Sequence, residues 1–592
     1  MRKRRFLKKR MISMVAAVAM MVSLLGGCGK SDTNSSNAST DNTESTSSED
    51  AFNFQSVKDV TFPLKDKLEL TVFVYATTTG GGTYQDNYVT DWIEEKTNIH
   101  LNFVYDVDGD DAKTKLNLIM TDPDSLPDIF LATNWTKSEV QSYGQQGLII
   151  PLNDYLKDAP NWNALNEKSP TRKADLTMTD GNIYTYGDDN ECFHCMYQNR
   201  MWIYKPWVDK LNGGKMPQTT EELYQYMKKV KEQDPNGNGK ADEIPMTGYI
   251  GGWATDPTVW LINSFVECNN PLSNTNPTIA AGLVVNDGKI EYSVMKDQYK
   301  DALKYINKLY EEGLLDNQTF TQDGTQYDSV LNNDEHLVAL YADGGVNADG
   351  TNFWSHKPGE WQNWDVLEPV EGPDGVRLAA RSITSYFGSC IGCISKNCKY
   401  PVIAAALFDF LASEEATLVQ SYGPQGVGWD WTTDGTSLGG GTPKYEKLTI
   451  PEDYDWVGNG FAKNYEHSTY VADAMIRCST VDFRSALKVD DPELDTEYIF
   501  QQAAEKYEKY SPDENTLIPN LSFEGEDSQA ISEYTLTIGG YVNQATVQFI
   551  TGDLDIDKEW DNYINKLKDM GVEDYIARYQ KCYDAYMKAA EQ

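Results

Sequence analysis

The sequence predicts an α/β protein of more than one domain. Between residues 68 and 152, short runs of β-branched and aromatic residues alternate with segments of helical periodicity. A strand–helix–strand–helix order of this kind builds a mainly parallel sheet. Beyond the N-terminal segment about 530 residues remain, more than one hydrophobic core accommodates, so two or three domains are expected.

The elements follow in order. Leu68 to Tyr75 (LELTVFVY) alternates and then runs apolar, as a sheet strand does. Val89, Trp92 and Ile93 recur at helical spacing within Tyr88 to Lys96, and Ile99 to Tyr105 returns to strand. Lys113 to Met120 reads as helix, Pro127 to Leu131 as strand and Glu139 to Gly144 as helix, followed by the segment Leu148 to Leu152. A second unit begins near Trp202. Leu223, Tyr226, Met227 and Val230 form the apolar face of a helix capped by Thr219 or Thr220. Tyr299 to Glu312 is another helix, stopped by Gly313, and Val338 to Tyr341 is a short strand. Cys390 to Ser395 is strand-like, and Tyr400 to Ala412 is a strongly apolar helix. Asp495 to Tyr510, Ala530 to Phe549 and Lys558 to Lys588 are mostly helical.

Ahead of this body stand Arg2, Lys3, Arg4, Arg5, Lys8, Lys9 and Arg10, then an apolar stretch from Met11 to Leu25. Basic start, apolar stretch and small residues before a cut site make a bacterial export signal. The alternative is a simple N-terminal anchor, for which about 15 apolar residues fall short of the usual span of roughly 20. Leu25-Gly26-Gly27-Cys28 resembles the lipobox of bacterial lipoproteins. That resemblance implies cleavage after Gly27 and a diacylglycerol on Cys28. Residues 1–27 are then a signal peptide. Ser31 to Asp50 is almost all Ser, Thr, Asn, Asp and Glu, with too little apolar surface to offset the entropy of ordering, so 28–60 is expected to be a flexible tether.

The formal charge is −39, and removal of residues 1–27 makes it near −46. Such a surface argues against nucleic acid or anionic lipid as a partner. Fourteen Trp and 36 Tyr exceed what packing alone usually requires. Flat apolar faces with a polar edge suit sugar rings, although many of these Tyr read as half-buried packing groups on helices. Of the cysteines other than Cys28, Cys192 and Cys195 flank His194, and Cys390, Cys393 and Cys398 form a second group. One or two disulfides, free thiols or a structural zinc remain open, though the spacings make no standard zinc signature. His100, His194, His336, His356 and His467 are scattered, and neither a Gly-x-Ser-x-Gly elbow nor a His-Glu-x-x-His helix occurs.

Residues 234–245 read DPNGNGKADEIP. Asp234, Asn236, Asn238, Lys240 and Asp242 fall at alternate positions with Gly239 at the sharp turn, the oxygen-ligand rhythm of an EF-hand-type calcium loop. Lys240 would offer only its backbone carbonyl. The pattern departs at its end, where Pro245 replaces the closing Glu and Glu243 stands directly after Asp242. A solvated Asn-Gly turn is the alternative.

The order of these parts resembles an extracellular solute-binding protein of an ABC importer. More narrowly it is similar to the large Gram-positive oligosaccharide-binding lipoproteins and their alginate-binding relatives. The matching pieces are the lipobox, Leu68 to Tyr75, Pro127-Asp128-Ile129-Phe130, Asp180-Gly181-Asn182-Ile183-Tyr184, Trp202 to Trp207 with Leu211, Asp234 to Pro245, Tyr400 to Glu415 and Trp560 to Tyr583. The resemblance implies a two-lobed periplasmic-binding-protein-like fold with interleaved lobes, hinge strands and extra C-terminal helices. Expected boundaries are 61–185 for the first part of lobe 1, 186–368 for the first part of lobe 2, 369–450 for the return to lobe 1, and 451–592 mainly for lobe 2. Asp180 to Tyr186 resembles the first crossing and Trp364 to Pro369 the return.

The resemblance also implies structural Ca²⁺ on Asp234, Asn236, Asn238, Lys240, Asp242 and Glu243. It implies a monomeric, non-catalytic receptor, lipid-anchored at the extracellular face of the cytoplasmic membrane, that hands an oligosaccharide to ABC permease subunits. In such a fold, loops at strand carboxyl ends face the cleft. By that rule the candidate ligand contacts are Asn134 and Trp135, Trp253, Asp343, Trp354 and Trp429, with Arg381 and Asp188 as further polar groups. A peptide or other solute on the same fold is the alternative, and an envelope-bound glycoside hydrolase is less favoured.

Overall fold

The computed structural model describes residues 52–75, 84–85, 87–107, 109–269, 281–388, 391–451, 453–465, 475–476 and 478–590. The signal peptide, Cys28, Ser31 to Asp50, Cys390 and His467 lie outside the described residues. Among the described residues no helix is long and apolar enough to cross a membrane.

Two sheets organise two hydrophobic cores. The chain first forms β1 (Leu68–Tyr75), β2 (Ile99–Val107) and β3 (Ile129–Leu131), then the short β4 (Asp189–Asn190). It continues through β5 (Arg200–Tyr204), β6 (Ile244–Thr247), β7 (Leu283–Asn286), β8 (Lys289–Tyr292), β9 (Val338–Asp343) and β10 (Trp364–Leu367). Returning, it adds β11 (Gly392–Ile394), β12 (Trp429–Trp431), β13 (Tyr445–Lys447) and β14 (Cys478–Ser479).

The first sheet has the order β11-β3-β1-β2, with β1 parallel to both neighbours and β11 antiparallel to β3. Val72, Phe73 and Val74 of β1 are all buried, so both faces of the strand are covered over its second half, as in a parallel sheet flanked by helices, while Glu69 at its start is exposed. The helix Tyr88–Thr97 covers it; Asn87 accepts the N–H of Val89 at its start, and Asn98 ends it in the left-handed conformation. Trp92 of this helix stacks on Phe410 of the helix Pro401–Leu411, with ring centroids 5.6 Å apart. The second sheet has the order β10-β5-β9-β6, and every residue of β5 and β9 is buried.

The first core takes residues between Val57 and Tyr186 and again between Tyr386 and Leu487. The second takes those between Tyr197 and Ala379 and again between Phe500 and Tyr583. Among the described residues the chain thus passes between the cores three times, near 187–196, 380–385 and 488–499. The lobes interleave, and several segments sit elsewhere than the sequence reading placed them. Trp364 to Leu367 is not the return but an edge strand of the second sheet, paired to β5, because its Val366 and Leu367 complete that core. The third crossing falls after Leu487, not near 450: Trp456 and Tyr465 pack on Tyr88, and Met475, Ile476 and Phe483 fill the first core. Residues 52–60 belong with the first core, not with a tether, since Val57 is buried and Phe52 packs on Tyr400. The predicted helix Lys558 to Lys588 is two, Ile556–Asp569 and Val572–Ala590, broken at Gly571 with φ 90°.

Cys192 and Cys195 form a disulfide. Their sulfurs and a ring nitrogen of His194 lie within metal-coordinating distance of one another, but sulfurs bonded to each other offer no thiolates, which removes the zinc alternative in this state. Cys268, Cys393 and Cys398 are buried free thiols.

Candidate functional site

β9 ends at Asp343, and Gly344 and Gly345 carry the chain away from the sheet. The Asp343 carboxylate is buried and accepts the Gly345 N–H at 2.9 Å and the Asn347 side-chain amide at 2.7 Å. Burial pushes its carboxyl up to about 7. Arg200 opens β5 in antiparallel register with Asp343. Its fully buried guanidinium donates to the carbonyls of Gly344 and His194, and burial lowers it to about 10. Trp202 Nε1 donates to the Asp343 carbonyl at 3.1 Å, and the Gly344 N–H to the Trp253 carbonyl at 3.1 Å. The Gly344–Gly345 turn is therefore held from several sides.

Two indoles sit on it. A Cβ at Gly344 would stand 2.5 Å from Trp253, and one at Gly345 2.9 Å from Trp354. Trp253 and Trp354 are 47% and 50% exposed, unlike most large apolar groups of the chain. Trp253 Nε1 donates to Gln198 Oε1 at 2.6 Å, which fixes the plane of its ring. The pair offers apolar faces to solvent at the carboxyl end of the second sheet.

Gln198 also lines a chamber of about 500 Å³ walled by both lobes. Asn134, Trp135, Lys137 and Phe387 line it from the first lobe, and Arg381 and the apolar strip Leu517, Ile518 and Leu521 from the second. Behind this wall Trp135 Nε1 and Arg381 Nε are buried, out of reach of the chamber, without a hydrogen-bond partner from the protein. Such donors are unfavourable unless water accepts from them. Trp354 lines a second cavity of about 840 Å³, with Tyr422 and Lys447 from the first lobe. Trp354 thus borders the second cavity, and Trp253 is tied to the first through Gln198.

The structure brings Asn134, Trp135 and Arg381 to the chamber and Trp253, Trp354 and Asp343 to the turn. Trp135 is mostly covered by Phe130 and Tyr143, so only its edge is available. Arg381 also holds Glu514 at 2.6 Å. Asp343 supports the turn from beneath, both oxygens being engaged by the turn itself. Trp429 is separate: it is 1% exposed and donates to the Gly423 carbonyl at 2.9 Å, and the exposed indole of β12 is Trp431. Asp188 is buried on the first crossing, its N–H bonded to the Tyr386 carbonyl of the second. Gln198 and Lys137 are the residues the sequence reading missed. Lys137 is buried, donating to Asp175 and to the Asn520 carbonyl at 2.6 Å each, and nothing in its local sequence marks it.

The loop from 234 to 243 also gathers its predicted residues. Asp234 accepts the N–H groups of Gly237 and Gly239, and Asn236 and Asn238 turn their side chains to Asp242. Lys240 donates its ammonium to Glu335 at 2.7 Å and lies 3.9 Å from Asp242 Oδ2, so its carbonyl is the group it could offer a cation. Glu243 is buried, and its carboxylate faces its own N–H and that of Asn236 without a well-formed hydrogen bond. A buried carboxylate that feels the negative charge of Asp234 and Asp242 suits a hard divalent cation.

Over 546 residues the chain is 27% identical to the fructooligosaccharide ABC transporter substrate-binding protein FusA of Streptococcus pneumoniae serotype 4, covering 90% of this chain and 93% of that one. A solved structure of an S. pneumoniae FusA EF-hand mutant in complex with fructo-nystose superposes with a TM-score of 0.64 at 23% identity, covering 88% and 99%. An HMO-binding, ABC-transporter-associated solute-binding protein from Bifidobacterium longum infantis superposes with a TM-score of 0.70 at 21% identity, covering 88% and 99%. These likenesses establish the two-lobed fold. The family model for bacterial extracellular solute-binding proteins matches residues 75–418, more than half of the chain, and the protein belongs to that family.

Proposed function

We propose that this protein captures an oligosaccharide outside the cell and delivers it, chemically unchanged, to the permease of an ABC importer. The observation that carries the reading is the pair of exposed indoles, Trp253 and Trp354, seated on Gly344 and Gly345, Trp354 bordering one cavity walled by both lobes and Trp253 bonded to Gln198 of another. Sugar rings present apolar C–H faces to such plates and hydroxyls to the polar groups around them. Asn134, Gln198, Lys137 and Arg381 supply polar side chains around the chamber. The similarity to a fructooligosaccharide receptor supports a carbohydrate ligand. Lobe closure around the sugar follows from a cleft whose walls belong to separate cores.

Two further parts belong to this reading. Cys28 carries the lipid that holds the receptor at the extracellular face of the membrane, as the Leu25-Gly26-Gly27-Cys28 run and the basic and apolar segments before it indicate. Asp234, Asn236, Asn238, Asp242, Glu243 and the Lys240 carbonyl bind Ca²⁺, which supplies the counter-charge for Glu243 and fixes the loop between helix and β6.

Calorimetry of the soluble body with fructo-oligosaccharides, milk oligosaccharides, uronate oligomers and short peptides tests the reading. One carbohydrate class is expected to bind in the micromolar range, raise the melting temperature and remain intact. Binding of peptides alone, or release of shortened sugars, overturns it.

A further inference from the structure

Three stretches of chain meet where the lobes join. On the first crossing, β4 pairs in parallel with β14, and the turn that follows it reaches Met196. The Ser382 N–H of the second crossing donates to the Met196 carbonyl at 2.8 Å. Beyond the third, Phe500 lies against His194 with ring centroids 5.1 Å apart. The turn 192–196 therefore touches both of the other stretches, and the Cys192–Cys195 disulfide closes it.

From this turn a short path leads to the indole pair. The His194 carbonyl accepts from Arg200, whose guanidinium also holds the Gly344 carbonyl, the backbone on which Trp253 sits. Arg200 is fully buried and packs over Phe500 at 5.2 Å, so it has little room to move independently of either carbonyl.

We propose that the Cys192–Cys195 disulfide is a thiol-sensitive clip that sets the position of Trp253 through His194, Arg200 and Gly344. A loop this short constrains the unfolded chain little, because the entropic gain of a cross-link grows with loop length. The bond therefore acts chiefly on local geometry. Cys195 is partly exposed and Cys192 buried, so an incoming thiolate attacks Sγ of Cys195. The S–S bond breaks, and Cys192 leaves as a thiolate that takes a proton from solvent. A second thiol attacks the mixed disulfide and releases Cys195. Two low-molecular-weight thiols, or one dithiol protein outside the membrane, are oxidised to a disulfide as the two cysteines gain two electrons. Its meaning for transport rests on the reading of the indole pair as ligand platform. The test is made without ligand, so failure of that reading leaves it intact.

The test titrates the full mature chain with dithiothreitol, maps alkylated cysteines by mass and follows tryptophan emission. Before reduction Cys192 and Cys195 are expected to resist alkylation. Mild reduction then exposes both, leaves circular dichroism unchanged and shifts the emission to the red. A Cys192→Ser/Cys195→Ser variant should show the shifted spectrum without reductant and respond no further. Trp253→Phe should abolish most of the response. Alkylation of both cysteines in the protein as isolated in air, opening of the bond with unchanged emission, or a response that survives in the double variant overturns the proposal. If the double variant does not fold, the titration of the native chain decides alone.

Discussion

Gly344 is the seat of Trp253: a Cβ on this glycine would stand 2.5 Å from Cδ2 of the indole. Its φ is not left-handed, so alanine adopts the same backbone and only the ring obstructs it. Gly344→Ala should therefore tilt an exposed side chain at little cost to the fold. Loss of one stacked indole is worth on the order of 1–2 kcal/mol of apolar burial, roughly a tenfold rise in Kd. Calorimetry of Gly344→Ala and Trp253→Ala should show similar losses and nearly unchanged melting temperatures.

The 234–243 loop gives a second expectation. If Ca²⁺ sits against the buried Glu243 as proposed, chelation leaves that carboxylate beside Asp234 and Asp242 with no counter-charge. Chelation should lower the melting temperature, and Ca²⁺ should restore it. At free Ca²⁺ a hundredfold above Kd the gain is about 2.7 kcal/mol. Glu243→Gln keeps the shape but loses the charged ligand, and its melting temperature should respond to neither chelator nor Ca²⁺.

Much of this was readable in advance, for identifiable reasons. β1 and the helix Pro401–Leu411 stood out because both are buried nearly throughout and their residues are apolar accordingly. The loop at 234 stood out because its oxygen-bearing side chains recur at a fixed local spacing, and its side chains do converge on Asp242. The hairpin β7–β8 was also legible and was overlooked: Asp287 and Gly288, both with positive φ, form its turn. Trp429 and Trp431 were not separable. Two residues apart on a strand they share a side, and burial by Gly423 and its neighbours decides which is covered. Gln198 and Lys137 act through partners more than 35 residues away, Trp253, Asp175 and Asn520, which no local pattern reports.

Asp343 gives the turn a pH dependence. Its carboxyl is raised from the ordinary 3.8 to about 7 by burial, so between these values the folded protein holds a proton that the unfolded chain has lost. Its contribution is therefore full below about 4 and is lost as pH rises towards 7. In Asp343→Asn the neutral amide keeps the shape and removes the titration. The difference in unfolding free energy between the two proteins should change by a few kcal/mol, roughly, across that window and be flat above it. Denaturant titrations at a series of pH values measure it; a constant difference from pH 4 to 8 would contradict the assignment.

The ion pair at the start of the first crossing makes the last prediction. Arg172 grips Asp189 with two hydrogen bonds, Nε to Oδ1 at 2.6 Å and Nη2 to Oδ2 at 2.8 Å, and stacks on Trp162 at 4.2 Å. Neither side chain reaches solvent. Arg172→Ala leaves the Asp189 carboxylate buried and alone, which should cost roughly 3–5 kcal/mol. Arg172→Lys should recover only part of this, since an ammonium makes neither the paired hydrogen bonds nor the stacking. An Arg172→Met/Asp189→Leu variant removes both charges while the backbone of Asp189 still pairs with Cys478, and it should return most of the stability. If the pair serves mainly to hold the first crossing in one register, that double variant should still bind ligand more weakly than the native protein. Denaturant midpoints compared with calorimetric Kd values separate the two contributions.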